Sequence, residues 1–150
     1  MDINKKILLL VALVFIASVG IVVAQDTTID DYTFTIPDGY EVKEVNGSMI
    51  TLMEGDEHAI VVMITDDVKD SEDAKENLES QGYKFIGEDT YSVGSKEVRQ
   101  QNYEKNDYTV MTYVFSVGDD QCIITFTIPS SETAPEGADN PVSTIINSIK

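Results

Sequence analysis

The sequence predicts an α+β fold: a mostly antiparallel sheet of about eight strands, covered by a mid-chain helix and a C-terminal helix. Short segments of alternating apolar and polar residues recur from residue 32 to residue 129, separated by turns rich in Gly, Asn and Asp. Two stretches with helical spacing, near residues 70–82 and 141–149, interrupt and then end this pattern.

The first strands lie between residues 32 and 65. The segments YTFTIP (32–37) and YEVKEV (40–45) alternate in polarity on either side of a Pro-Asp-Gly turn. Asn46-Gly47 predicts a tight hairpin into SMITLM (48–53). The run Ala59–Ile64 is almost wholly apolar, which predicts a strand buried on both faces.

The second half begins with the mid-chain helix, for which Asp70 or Ser71 can serve as the N-cap and Gly82 as the end. YKFIGEDTYSV (83–93) is predicted to be one strand, interrupted at Gly87, and three more strands complete an antiparallel meander. Apolar side chains share one face of the last strand and one side of a helix that starts at Pro141. They are Cys122, Ile124, Phe126 and Ile128, then Val142, Ile145, Ile146 and Ile149.

Residues 1–24 read as a signal peptide or an N-terminal membrane anchor. Lys5 and Lys6 precede eighteen uncharged residues, Ile7 to Ala24. As a helix these would span ~27 Å, against a hydrocarbon core of ~30 Å. Cleavage after Ala24 and retention of residues 7–24 in the membrane both stay open, and both predict an extracytoplasmic location for the rest. Residues 25–31 are then a short acidic tether, and residues 32–150 a single domain.

The charge balance is strongly acidic. The chain has 27 acidic and 10 basic residues, a formal charge of −17. Such a surface repels nucleic acid and anionic lipid headgroups, so no nucleic-acid partner is expected. It suits solubility, cations or a basic partner.

Two motifs give the chain a resemblance to a known family. DYTFTIPDGYEV (31–42) resembles the opening strand of the PsbP-like family and its bacterial lipoprotein relatives, and STIINSIK (143–150) resembles the closing helix. The chain is also similar to small secreted or membrane-anchored proteins of methanogenic archaea. The resemblance implies a PsbP-like α/β/α sandwich that acts as an extracytoplasmic binding or accessory domain without enzymatic activity. It transfers no functional residue to this sequence.

The chemical inventory is poor for catalysis. Nucleophilic catalysis usually needs a histidine beside the nucleophile, and the sequence has one histidine and one cysteine. His58 is expected to be an exposed turn residue, and Cys122 a core residue. We therefore predict no enzyme activity, no catalytic residue, no metal ligand and no cofactor.

Three sets of residues stand out as candidate sites. Asn46-Gly47-Ser48 is an N-glycosylation sequon as well as a turn signal. Arg99, Gln101 and Tyr103 share one face of a polar strand, predicted to be either a solvated edge strand or a recognition strip. Acidic residues at the start of the mid-chain helix suit its N-terminus or could bind calcium: Asp66, Asp67, Asp70, Glu72 and Asp73.

These observations support three hypotheses. The first is a non-catalytic surface domain that binds an unknown protein partner at the membrane or cell surface, or assists a membrane assembly. The alternative is an acidic module that binds a divalent cation. The third is a carboxylate-based hydrolase, which needs two carboxylates facing each other across a cleft, roughly 5 to 9.5 Å apart.

Overall fold

A computed structural model describes residues 25–150, apart from the side chains of residues 68–72. The signal peptide or anchor predicted for residues 1–24 lies outside this range. Among the described residues, no helix is long and apolar enough to cross a membrane.

The described residues form nine strands, two α-helices and a short 3-10 helix. The strands are β1 (Asp26–Ile29), β2 (Tyr32–Thr35), β3 (Glu41–Asn46), β4 (Met49–Glu54), β5 (His58–Thr65), β6 (Lys84–Val93), β7 (Lys96–Lys105), β8 (Tyr108–Val117) and β9 (Asp120–Pro129). The helices are α1 (Val68–Ser80), the 3-10 helix (Gly137–Asp139) and α2 (Pro141–Ser148).

Seven strands make one antiparallel sheet in the order β3-β4-β5-β9-β8-β7-β6, and β1 and β2 form a separate hairpin. The predicted meander from β6 to β9 and the α+β class are both confirmed. Helix α1 connects β5, inside the sheet, to β6 at its edge. Strand β9 pairs with β5, so the first and last thirds of the chain meet in the middle of the sheet.

The main hydrophobic core lies on the sheet face covered by α2 and the β1–β2 hairpin. The predicted inward residues of β9 and α2 are confirmed, each at most 2% exposed: Cys122, Ile124, Phe126, Ile128, Val142, Ile145, Ile146 and Ile149. Asn140 caps α2 by accepting a hydrogen bond from the Val142 amide at 3.0 Å. Pro141 fits the first turn because its missing N–H has no partner to lose there.

The tether prediction is corrected, because residues 26–29 form β1 and belong to the folded domain. Ile29 is 1% exposed, and this apolar burial holds the hairpin against the core. The end of the chain pairs with β2, since Thr33 and Lys150 exchange backbone hydrogen bonds of 3.0 and 3.1 Å.

Among the local predictions, the burial of β5 and the start of α1 are corrected, and the Gly87 irregularity and the β3–β4 hairpin are confirmed. Strand β5 alternates between buried and half-buried residues, so it is not equally buried on both faces. Helix α1 begins at Val68, before the predicted caps, and ends as predicted near Gly82, whose φ is +91°. The irregularity at Gly87 is confirmed as a shift in the β6–β7 register. The predicted hairpin forms, with Gly47 and Ser48 as its two loop residues.

Candidate functional site

Strand β7 is an internal strand, since it pairs with β6 on one side and β8 on the other. The edge-strand prediction was therefore wrong, because β6 forms the edge. Successive side chains of β7 point to opposite faces of the sheet, so its polar residues divide into two sets with different surroundings.

The first set contains the predicted recognition strip, and this face is closed. Tyr103 is 0% exposed and Gln101 8% exposed, and the Tyr103 hydroxyl donates to Gln101 Oε1 at 2.8 Å. Phe85 packs edge-on against Tyr103 with ring centroids 5.7 Å apart, and Lys75 of α1 lies over the Phe85 ring. Only Arg99 stays accessible. These three residues therefore do not form the predicted recognition strip on the surface.

The second set, Gln100 and Asn102, faces an open groove. Its floor is formed by β6, β7 and β8, and its wall by α2 and residues 130–140, which we call the 130–140 loop. The groove has a volume of 740 Å³, within the range of ligand sites in proteins. It opens along β6, where Ile86 is 48% exposed.

A chain of hydrogen bonds orients the amides of the groove floor. The Tyr91 hydroxyl donates to Gln100 Oε1 at 2.6 Å, and Gln100 Nε2 donates to Asn102 Oδ1 at 2.9 Å. Within the described part of the chain, the Asn102 amide nitrogen has no hydrogen-bond acceptor. It can therefore donate to a bound molecule without giving up an internal bond.

The junction of the wall and floor is fixed by Asn140. Its amide Nδ2 donates to the Tyr113 hydroxyl at 3.0 Å, while its Oδ1 caps α2. Burial raises the pKa of Tyr113 to about 12, although the hydrogen bond from Asn140 acts in the opposite direction. Tyr113 therefore stays a neutral structural hydroxyl at the pH of cells.

The described residues that line the groove include no histidine, cysteine, lysine or arginine. Its two carboxylates, Asp89 and Glu136, belong to exposed residues of β6 and the loop. A general acid is usually made by burial that favours the neutral carboxyl group. Neither Asp89 nor Glu136 is buried in this way, and the amides and hydroxyls of the floor are neutral hydrogen-bonding groups.

His58 is placed differently from the prediction of an exposed turn residue, which was wrong. It begins β5, and its side chain is 24% exposed. Its Nδ1 lies 3.1 Å from Glu54 Oε1, and its Nε2 lies 2.6 Å from Glu132 Oε2 of the 130–140 loop. We call His58, Glu54 and Glu132 the His58 cluster.

The two carboxylates determine the protonation of this imidazole. Partial burial by itself lowers the pKa of His58, but the hydrogen bonds and negative charges of Glu54 and Glu132 together raise it above its ordinary value of 6.5. The charged form is favoured because both ring nitrogens face carboxylate oxygens.

The remaining predicted sites take simpler positions. Cys122 is a free, fully buried thiol, and burial raises its pKa, so its prediction as a core residue is confirmed. Asn46 is exposed at the end of β3, and its glycosylation stays a prediction. No group of three or more His, Cys, Asp or Glu residues suited to a metal ion occurs among the described residues. The side chains of Asp70 and Glu72 lie outside that set.

Comparison with known proteins identifies the fold from structure, whereas comparison of sequences assigns no family. Neither a protein-family model nor a curated protein matches the chain. The solution structure of cyanobacterial PsbP (CyanoP) from Synechocystis sp. PCC 6803 matches with a TM-score of 0.57 at 16% identity, covering 93% of this chain and 98% of that chain. The fold is PsbP-like.

A second solved structure also matches the fold of this chain. It is a crystal structure of a protein from Bacteroides thetaiotaomicron VPI-5482, with a TM-score of 0.51 and 14% identity. It covers 79% of this chain, but only 44% of that chain. The structural resemblance predicted from the opening and closing motifs is thus confirmed at the level of fold.

Sequence reasoning missed the groove and the His58 cluster for the same reason. Both depend on the 130–140 loop returning to strands that are distant in sequence. The sequence contains no local signal for this return. It follows from the pairing of β9 with β5, which aligns Thr127 with Ala59 and brings the start of the loop near His58.

Proposed function

We propose that the chain is a non-catalytic extracytoplasmic domain that uses the groove to bind a partner protein or assist a membrane assembly. The observation that carries this proposal is the groove itself, a cavity of 740 Å³ whose floor presents the unpartnered amide nitrogen of Asn102. The PsbP-like fold and the apolar segment at residues 7–24 support the accessory role and the location.

The proposal favours recognition over hydrolysis. A hydrolase would need a carboxyl group held in its acid form, whereas Asp89 and Glu136 lie exposed at the sides of the groove. The polar groups on an otherwise largely apolar floor instead offer neutral, directional donors and acceptors, which would specify a partner by hydrogen-bond geometry.

Recovery of the tagged full-length chain from membranes in a gentle detergent tests this function, with mass spectrometry of the proteins recovered. Three forms are compared: the wild type, Asn102→Ala on the groove floor, and Thr127→Ala on the opposite face of the sheet. We expect the wild type and Thr127→Ala to recover the same partner in near-equal amounts. Asn102→Ala should recover roughly fivefold less, because it removes a hydrogen-bond donor.

Two results would contradict the proposal. One is recovery of the bare chain in all three forms. The other is a partner whose recovery is unaffected by Asn102→Ala but lost in Thr127→Ala, which would place the binding surface on the other face. Thermal unfolding of the variants checks that each retains the fold.

A further inference from the structure

Two cavities share the 130–140 loop as a common wall. Thr133 and Pro135 line the groove on one side and a smaller cavity of 230 Å³ on the other. The smaller cavity contains the His58 cluster. A change in the attachment of the loop at His58 is therefore a change in the wall of the groove.

Few contacts hold this loop to the sheet. At its start, Ser130 donates its backbone N–H to Asp107 O. At its end, Asn140 donates to the Tyr113 hydroxyl of β8, and Ser143 Oγ donates to Gly137 O of the 3-10 helix. Ala134 packs against the core from its middle. For residues 131–139, the bond between Glu132 and His58 is the one side-chain hydrogen bond to the sheet within the described part of the chain.

The chemistry of imidazole makes this bond depend on a proton. The imidazolium ion donates from both ring nitrogens and can bridge Glu54 and Glu132. The neutral ring donates from one nitrogen only and presents a lone pair at the other. Glu132 then either faces that lone pair or keeps a hydrogen bond to an uncharged ring, which is weaker than its bond to the imidazolium ion.

We propose that protonated His58 fastens the 130–140 loop to the β4–β5 hairpin through Glu132, and that loss of this proton loosens the wall of the groove. The inference rests on the proposed function in one respect, that the regulated cavity is the one that binds the partner. The groove is then more open at a pH above the midpoint of His58 titration than at a pH below it.

The titratable groups that line the His58 cavity are mostly acidic, which supports a protonated imidazole at this position. Acidic or phenolic groups line its cavity from four neighbouring segments, β9 and α2 contribute only apolar residues, and among the described residues no lysine or arginine lines the cavity. These groups are Asp38 and Tyr40 before β3, Glu54 of β4, Glu132 of the loop and Asp139 of the 3-10 helix. Asp56 and Glu57 of the β4–β5 turn add negative charge nearby. Of these groups, the Glu54 and Glu132 carboxylates contact the ring, and their hydrogen bonds and charges outweigh partial burial and raise the pKa of His58.

Nuclear magnetic resonance of the full chain tests the inference without a ligand. His58 is the sole histidine, so one imidazole signal reports its protonation. Labelled alanine methyl groups report the loop through Ala134 and Ala138, with Ala74 of α1 as an internal reference. We expect the two loop methyl groups to shift and become more mobile with the same midpoint as His58, above pH 6.5, while Ala74 stays unchanged.

The variants Glu132→Gln and Glu136→Gln make a matched pair, because both remove one charge from the same loop. Glu132→Gln should lower the His58 midpoint and give a loop that is mobile at all pH values. Glu136→Gln, which lines the groove but not the His58 cavity, should behave as the wild type. His58→Gln should abolish the pH dependence of Ala134 and Ala138.

Three outcomes would overturn the inference: a His58 midpoint at or below 6.5, loop methyl groups that ignore that midpoint, or equal effects of Glu132→Gln and Glu136→Gln. None of them would affect the proposed function, which is tested by partner recovery at one pH. Failure of partner recovery would in turn leave the titration of the loop unchanged.

Discussion

The closed and open faces of β7 lie one residue apart in sequence and differ in almost every physical respect. On the closed face Tyr103 is 0% exposed, packed with Phe85 beneath α1. On the open face Gln100 and Asn102 are half-buried and look into the groove. The comparison teaches that polar residues of one strand can either pack in a closed interior or line an open groove, depending on how closely the neighbouring helix covers each face.

The largest expected effect comes from emptying the closed face. Tyr103→Ala removes a fully buried aromatic ring and should lower the free energy of unfolding by about 3–5 kcal/mol. Asn102→Ala, on the open face, should lower it by only about 1 kcal/mol, because it removes one half-buried hydrogen bond, the one from Gln100, and empties no buried volume. Chemical denaturation of both variants measures the difference, and equal losses would contradict the distinction between the two faces.

A medium effect is expected at the junction that holds α2 against the open face. Asn140→Ala removes the N-cap of α2 and the hydrogen bond to Tyr113, so the free energy of unfolding should fall by about 1–2 kcal/mol. Asn147→Ala, on the exposed side of the same helix, should change it by less than about 0.5 kcal/mol. Thermal unfolding followed by circular dichroism compares the two variants. An Asn140→Ala variant as stable as Asn147→Ala would contradict the claim that Asn140 holds α2 in place.

The smallest effect is the pH dependence contributed by the His58 cluster behind the groove wall. Because the folded state raises the pKa of His58, its contribution to stability is full below the unfolded value of 6.5 and disappears as pH rises through the folded value. The Glu54 and Glu132 carboxylates are 45% exposed, so solvent screening keeps this contribution below about 1 kcal/mol.

Denaturation of the wild type and His58→Gln across this pH range measures the contribution. The wild type should be the more stable form at low pH, and the two curves should converge at high pH. A stability difference that grows as pH rises would contradict a raised pKa of His58 in the folded state.

Much of the fold could be predicted because it follows from local patterns. Alternation along β9 correctly placed Cys122 and Phe126 in the core, and Pro141 with the spaced isoleucines correctly placed α2. Gly87 was correctly predicted to interrupt β6. These features depend on residues within a few positions of one another, so periodicity and turn chemistry suffice.

The candidate site depends on contacts that no local pattern contains. His58 and Glu132 are 74 residues apart and meet because β5 pairs with β9. The sequence also could not place Gln101 and Tyr103 beneath α1, since alternation separates two faces without saying how closely a helix will cover each one. Residues 26–29 were missed as a strand because their single buried side chain, Ile29, gives too short a pattern.

The most direct test of the open face as a binding surface is photo-crosslinking in native membranes from two single positions. A photoreactive amino acid replaces Asn147, which lines the groove, in one form of the full chain, and Glu76, exposed on α1 over the closed face, in the other. We predict that the probe at position 147 forms a specific covalent adduct with a protein partner and that the probe at position 76 does not. An adduct from position 76 alone, or none from either position, would contradict the claim that the open face of β7 is the binding surface.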